Sequence, residues 1–263
     1  MVKLNLQQIK KIELDILKEF VAYCDKHSLR YYLAYGSLIG AIRHHGFIPW
    51  DEDIDVMMPR SDYEKLHELV KAEPVGEELD LVSYTLGTYR VPIGKIVNKN
   101  TRVSLFGRGL EEKLWVDIFV LDNYDSKIAK SNAFWYKVYI ARDTRHFDFS
   151  IKGIVKYFIN VLFCWKKPAD IAQKMEKNAM SVPYNGNYSH ILWTDFKEPI
   201  FTEHDLSTPC LVDFEGLKLK TFSNYDDVLT LWYGDYMTLP PENQRRTHNL
   251  EAYWISDKDI PEL

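Results

Sequence analysis

One stretch restricts what this chain can fold into more than any other: Trp50-Asp51-Glu52-Asp53-Ile54-Asp55-Val56-Met57-Met58, an acidic run that passes directly into an apolar one. Side chains alternate faces along a strand, so Asp51, Asp53 and Asp55 tend to one face while Ile54 and Val56 turn toward a core. Carboxylates crowded at a core edge repel one another and are costly to bury unpaired, so the pattern asks for a cation. Upstream, Tyr35-Gly36-Ser37 reads as a small-residue turn opening a helix over Leu38 to His44. Backbone N–H groups and a hydroxyl at such a helix N-terminus suit phosphate oxygens. A solvated acidic loop is the bland alternative, but an ordinary acidic loop does not interleave with Ile54 and Val56. An EF-hand fails as well, because its sixth position needs Gly and its twelfth prefers Glu, where this chain has Val56 and Asp62.

A third carboxylate comes from Leu114-Trp115-Val116-Asp117-Ile118-Phe119-Val120, in which Asp117 is the single charged residue of an apolar strand. An Asp in that setting needs a partner, either a metal, a proton from a substrate hydroxyl, or a structural cation. Two alternating aspartates and a third from elsewhere suit Mg²⁺, a hard ion that keeps open positions for substrate phosphates. The combination points to metal-dependent phosphoryl transfer.

The rest of the chain narrows the class. Its 263 residues allow a sizeable core, and 46% hydrophobic with 27% charged residues is ordinary for a globular protein. The net charge of -5 argues against nucleic acid as the main partner. Cys24, Cys164 and Cys210 lie far apart, which excludes a clustered thiolate zinc site and suits a reducing compartment. The N-terminus has no unbroken apolar segment of the signal-peptide kind, so the cytoplasm is the expected location. The most apolar run, Ile154 to Trp165, is too short to span a bilayer. With Lys152, Lys156, Lys166 and Lys167, the segment Phe147 to Lys167 reads either as a helix covering the core or as a basic amphipathic helix on an anionic membrane.

Ile9, Ile12, Ile16, Phe20 and Cys24 recur at helical spacing and predict a helix over 6–26. Strands are expected at 30–34, 53–58, 79–85, 90–97 and 114–120. Ser61-Asp62-Tyr63-Glu64 is a capping-box pattern opening a helix to about Ala72. We divide the chain into a catalytic core at 1–125, a helical segment at 126–182 broken near Gly153 and Pro168, and a C-terminal segment at 183–263. The last carries strands around 210–220 and a helix over 225–233 capped by Ser223, packs on the core and completes the site.

The run from Leu33 through Tyr35-Gly36-Ser37, Arg43-His44-His45-Gly46 and Pro49-Trp50-Asp51 to Val56 resembles the LicD family of phosphocholine transferases, which also includes the fukutin-related proteins. The resemblance continues in Gly94-Lys95-Ile96, Val116-Asp117-Ile118-Phe119, Tyr233-Gly234-Asp235-Tyr236-Met237, Arg245 and His248. It is weakest over 127–182. It implies an α+β fold: a nucleotidyltransferase-like mixed sheet flanked by helices, with a helical insertion and a C-terminal extension. Glu52 departs from the family, which commonly has Asp there.

The function implied is transfer of phosphocholine from CDP-choline to a sugar hydroxyl of a cell-surface glycan precursor, teichoic acid or similar, with release of CMP. On that reading Asp53, Asp55 and Asp117 are the catalytic and metal-binding residues, and the ion is Mg²⁺ with Mn²⁺ as a substitute. Gly36, Ser37, Arg43, Asp51, Lys95, Arg245 and His248 are the substrate-binding candidates. The acceptor is a lipid-linked precursor or an oligosaccharide, and peripheral contact with the inner membrane face accompanies a cytoplasmic location. Three alternatives stay open: a CDP-ribitol or CDP-glycerol donor, nucleotidyl transfer from a nucleoside triphosphate, and an inert binding module.

Overall fold

The structure is a computed structural model, and it describes residues 1–104, 111–143, 150–194, 198–245, 247 and 250–260. Strand β1 (Val2–Lys3) leads into helix α1 (Leu6–Lys26). Asn5 and Gln8 exchange hydrogen bonds at its start as a capping box. The predicted apolar stripe is buried, and Glu13 and Leu17 are buried with it. There follow β2 (Tyr32–Leu33), α2 (Tyr35–His44), β3 (Asp55–Pro59), α3 (Arg60–Leu69), β4 (Leu79–Ser83), β5 (Gly94–Asn98), β6 (Thr101–Ser104), β7 (Glu111–Glu112) and β8 (Trp115–Asn123). Three helices come next, α4 (Ser126–Asp143), α5 (Ile151–Leu162) and α6 (Pro168–Met180). The chain closes with β9 (Asn187–Ser189), β10 (Phe201–Thr202), α7 (Glu203–Ser207), β11 (Cys210–Phe214), β12 (Leu217–Thr221), α8 (Tyr225–Tyr233) and β13 (Glu251–Trp254).

The central strand is β8. It pairs in parallel with β3, which pairs antiparallel with β2. Its other edge takes β5 along the first half and β9 at the end, both antiparallel, with β4 beyond β5 and β10 beyond β9. This is the mixed sheet of an α+β nucleotidyltransferase-like fold. A second sheet, β1-β13-β6-β7, ties the first residues to the last strand.

Alternation along β8 separates the two faces. Val116, Ile118 and Val120 pack under α1 in the larger core, with Val56 and Met58 of β3. Phe119 and Leu121 turn to a second core with Met57, Leu38 and Ile39 of α2, and Val228 and Leu229 of α8. Helices α4 and α6 form a third core around Tyr139, Ile171 and Met175. Among the described residues, no helix is long and apolar enough to cross a membrane.

Several boundaries differ from the sequence pattern, each for a local reason. Helix α2 begins at Tyr35, so Gly36 and Ser37 lie inside its first turn rather than ahead of it. Strand β3 begins at Asp55, and Asp53 belongs to the connection before it. The capping box at Ser61 does not form: α3 runs on from β3 with Pro59 at its N-cap, and Asp62 pairs with Arg30 instead. Helix α8 follows Asn224, not Ser223.

Candidate active site

Register places the central charges in one row across three strands. Asp117 of β8 is directly opposite Asp55 of β3 on one side and Lys95 of β5 on the other. Paired residues share a face of the sheet, so these three side chains stand together on the face away from α1. Lys95 Nζ lies 3.0 Å from Asp117 Oδ1 and 3.5 Å from Glu112 Oε2. It also sits 3.7 Å from the centroid of the Trp115 ring, and Trp115 Nε1 donates to Asp117 Oδ2 at 2.7 Å. Burial by itself pushes the Lys95 ammonium down. The charges of Asp117, Tyr89 and Glu112 outweigh it and hold the group above the ordinary lysine range.

Asp55 is under the opposite stress. Burial first, and then the charges of Asp53, Asp117 and Asp51, push its carboxyl well above the usual carboxylate range, with Lys95 only partly offsetting them. Ser37 fixes this acidic turn: its Oγ accepts from the Asp55 N–H at 2.9 Å and donates to the Asp53 carbonyl at 3.4 Å. The Ser37 hydroxyl is thus engaged with the backbone of the acidic segment. Gly36 lets Asp51 come close, since a Cβ there would meet Asp51 Oδ2 at 2.9 Å. Tyr35 sits in the left-handed region at φ 47°, an uncommon conformation for a side-chain-bearing residue.

The remaining candidates are placed as follows. Arg43 donates to the Tyr236 carbonyl at 2.7 Å and to His44 Nε2 at 3.0 Å, so it ties α2 to the segment after α8. Arg245 donates to the Pro240 carbonyl at 3.0 Å, and its guanidinium lies 4.8 Å from the centroid of Trp50, beside Asp51. His248 lies outside the described residues.

Three acids of the site had gone unmarked by sequence pattern: Glu112 beside Lys95, Glu13 and Glu198. Glu13 of α1 is completely buried, and neither carboxylate oxygen has a hydrogen-bond partner. Burial first, and then Asp53, Glu52, Asp117 and Asp51, push it well above its usual range. The available signal was its position on the buried stripe of α1, between Ile9 and Ile16. Glu198 had no such signal. It accepts from Tyr35 Oη at 3.1 Å, Thr194 Oγ1 at 2.9 Å and Trp232 Nε1 at 3.1 Å. Around it the Tyr35 ring meets Phe119 at 5.1 Å and Trp232 at 4.5 Å between centroids. Tyr233 borders the same region: burial raises its phenol first, and Asp55 is the largest of the charges that add to this. A half-buried aromatic wall with a carboxylate behind it therefore adjoins the acidic row.

Among the described residues, no three His, Cys, Asp or Glu side chains are gathered as a ready-made ion cage. The donor chemistry still suits a divalent ion. Asp55 is crowded by three other carboxylates, and like charges hold one another apart until a cation joins them.

Residues 28–151 match the family model described as LicD/FKTN/FKRP, nucleotidyltransferase domain. The chain is 27% identical over 270 residues to the lipopolysaccharide cholinephosphotransferase LicD of Haemophilus influenzae, covering 97% of this chain and 100% of that protein. It is also 28% identical over 78 residues to an uncharacterized protein of Rickettsia prowazekii, covering 26% of this chain and 29% of that one.

Proposed function

We propose that this chain, a member of the LicD family, transfers phosphocholine from CDP-choline to a sugar hydroxyl of a cell-surface glycan precursor. The observation that carries the reading is the direct pairing of Asp55 with Asp117, beside Asp53 and Asp51. The acceptor is a teichoic acid, lipopolysaccharide or similar precursor, either lipid-linked or an oligosaccharide, met at the inner membrane face.

Asp53, Asp55 and Asp117 would hold Mg²⁺, with Mn²⁺ as a substitute, and the ion would supply charge neutralisation on the donor's diphosphate. The acceptor oxygen forms its bond to the phosphorus bearing choline as the bond from that phosphorus to the CMP oxygen breaks. The hydroxyl proton goes to the Asp55–Asp117 pair. Asp117 can reach the ion or take the proton only if Lys95 or the Trp115 N–H gives way, because each of its oxygens already faces one of them. Ser37 and Gly36 hold the acidic turn in place at the N-terminus of α2, the end of a helix whose N–H groups suit phosphate oxygens.

Choline is favoured over ribitol or glycerol by the wall of Tyr35, Phe119 and Trp232 with Glu198. A quaternary ammonium prefers aromatic faces and a nearby carboxylate, whereas a polyol asks for hydroxyl-binding groups. The test is to incubate the protein with Mg²⁺ and CDP-choline, CDP-ribitol, CDP-glycerol or CTP in turn, with an oligosaccharide acceptor. The reading expects CMP release and headgroup transfer with CDP-choline. Pyrophosphate release from CTP alone would replace it with nucleotidyl transfer.

A further inference from the structure

Helix α5 presents its apolar side to water. Ile154, Val155, Phe158, Val161 and Leu162 are 42–66% exposed, and Trp165 just beyond the helix is 65% exposed. At about 3.6 residues per turn these helical side chains share one broad face. The opposite side turns to the protein: Gly153 is buried, Ile159 and Asn160 are half-buried, and Asn160 accepts a hydrogen bond from Arg142 of α4. An ordinary surface helix has the reverse arrangement, with polar residues outward.

Charge identifies what such a face meets. From Phe149 to Ala169 the chain carries Lys152, Lys156, Lys166 and Lys167 and no Asp or Glu, in a protein of net charge -5. We propose that α5 and Trp165 form a docking surface for an anionic lipid membrane, with the helix lying in the plane of the headgroups. Its 12 residues are too few to cross a bilayer, while an exposed apolar face with Trp165, Lys166 and Lys167 just past the helix end suits the boundary between acyl chains and anionic headgroups. A second copy of the chain fits less well, because two such faces paired about a two-fold axis would bring lysines together without an acid to offset them. This surface stands apart from the transfer reading. Helix α5 packs on α4 and carries none of the acidic row. Only its use, bringing the site to a lipid-linked acceptor, rests on that reading.

The test is flotation of the full chain with phosphatidylcholine vesicles made with and without phosphatidylglycerol. Wild-type protein should float with the anionic vesicles, in a salt-sensitive manner, and only weakly with phosphatidylcholine alone. The double variant Phe158→Ser, Leu162→Ser changes two exposed residues and should stay folded by circular dichroism. Its vesicle partitioning should fall about tenfold or more. Lys166→Gln with Lys167→Gln should lower anionic binding about fivefold per lysine and flatten the salt dependence. Transfer to a soluble acceptor should be unchanged in all these variants, so loss of vesicle binding with intact transfer separates this surface from the active site. The proposal is overturned if wild-type protein ignores anionic vesicles at low salt, or if the serine variant floats as well as wild type. A serine variant that converts a dimer to a monomer, with no vesicle binding by either form, also overturns it.

Discussion

Asp55 and Asp117 face each other across the parallel β3–β8 pair, and Lys95 completes their row from the antiparallel side. One carboxylate is therefore held by a cation and an indole N–H, while the other is crowded by acids. That difference between two neighbouring aspartates organises the site.

Asp55→Asn should lower transfer by about a thousandfold or more, the scale of losing a central electrostatic group in phosphoryl transfer. Its melting temperature without metal should hold or rise, since the crowding around Asp55 is relieved. Added Mg²⁺ should raise the melting temperature of wild type and not of the variant. CMP release and paired melting curves with Mg²⁺ or EDTA check this. Full transfer by the variant, or by wild type in excess EDTA, would remove the metal mechanism.

Lys95→Met should cost about 3–5 kcal/mol of stability, because it strands the buried Asp117 carboxylate. Adding Asp117→Asn should recover much of that stability without recovering transfer. Urea unfolding of the two single variants and the double gives the coupling. Independent, additive effects would show that the ion pair does not hold the row.

Glu13→Gln should stabilise the protein above neutral pH by about 1–3 kcal/mol, because the native state no longer has to hold a proton that the unfolded chain releases. The folded-state value of Glu13 lies well above its unfolded value. The native protein therefore holds the Glu13 proton more tightly, and that contribution is fully present below the unfolded value of about 4.3 and lost as pH rises through the folded one. The advantage of the variant should accordingly shrink as pH falls toward 5. Urea midpoints in EDTA across that range measure it, and a pH-independent difference would contradict the assignment.

Trp232→Ala and Glu198→Gln should each raise KM for CDP-choline about tenfold, consistent with losing one cation contact in a partly desolvated site. Any turnover of CDP-glycerol should change far less. Parallel loss on both donors would mean that the wall supports the fold rather than the headgroup.

Much was legible in the sequence, and for identifiable reasons. The stripe of α1, the apolar strand around Asp117 and the alternation into Val56 are short-range patterns, each set by the period of its own element. Element boundaries were less legible, because Pro59, Asn224 and the first turn of α2 are settled by what the neighbouring chain offers. Local pattern alone shows that acids meet an apolar strand, that a lone Asp lies in another, and that a lysine-rich apolar segment lies elsewhere in the chain. Folding, not local pattern, makes Lys95 the partner of Asp117, leaves Glu13 unpaired beneath the acids and gathers Tyr35 and Trp232 around Glu198. Those pairings join residues far apart in the chain, and strand register and helix packing, which no local pattern encodes, bring them within hydrogen-bonding distance.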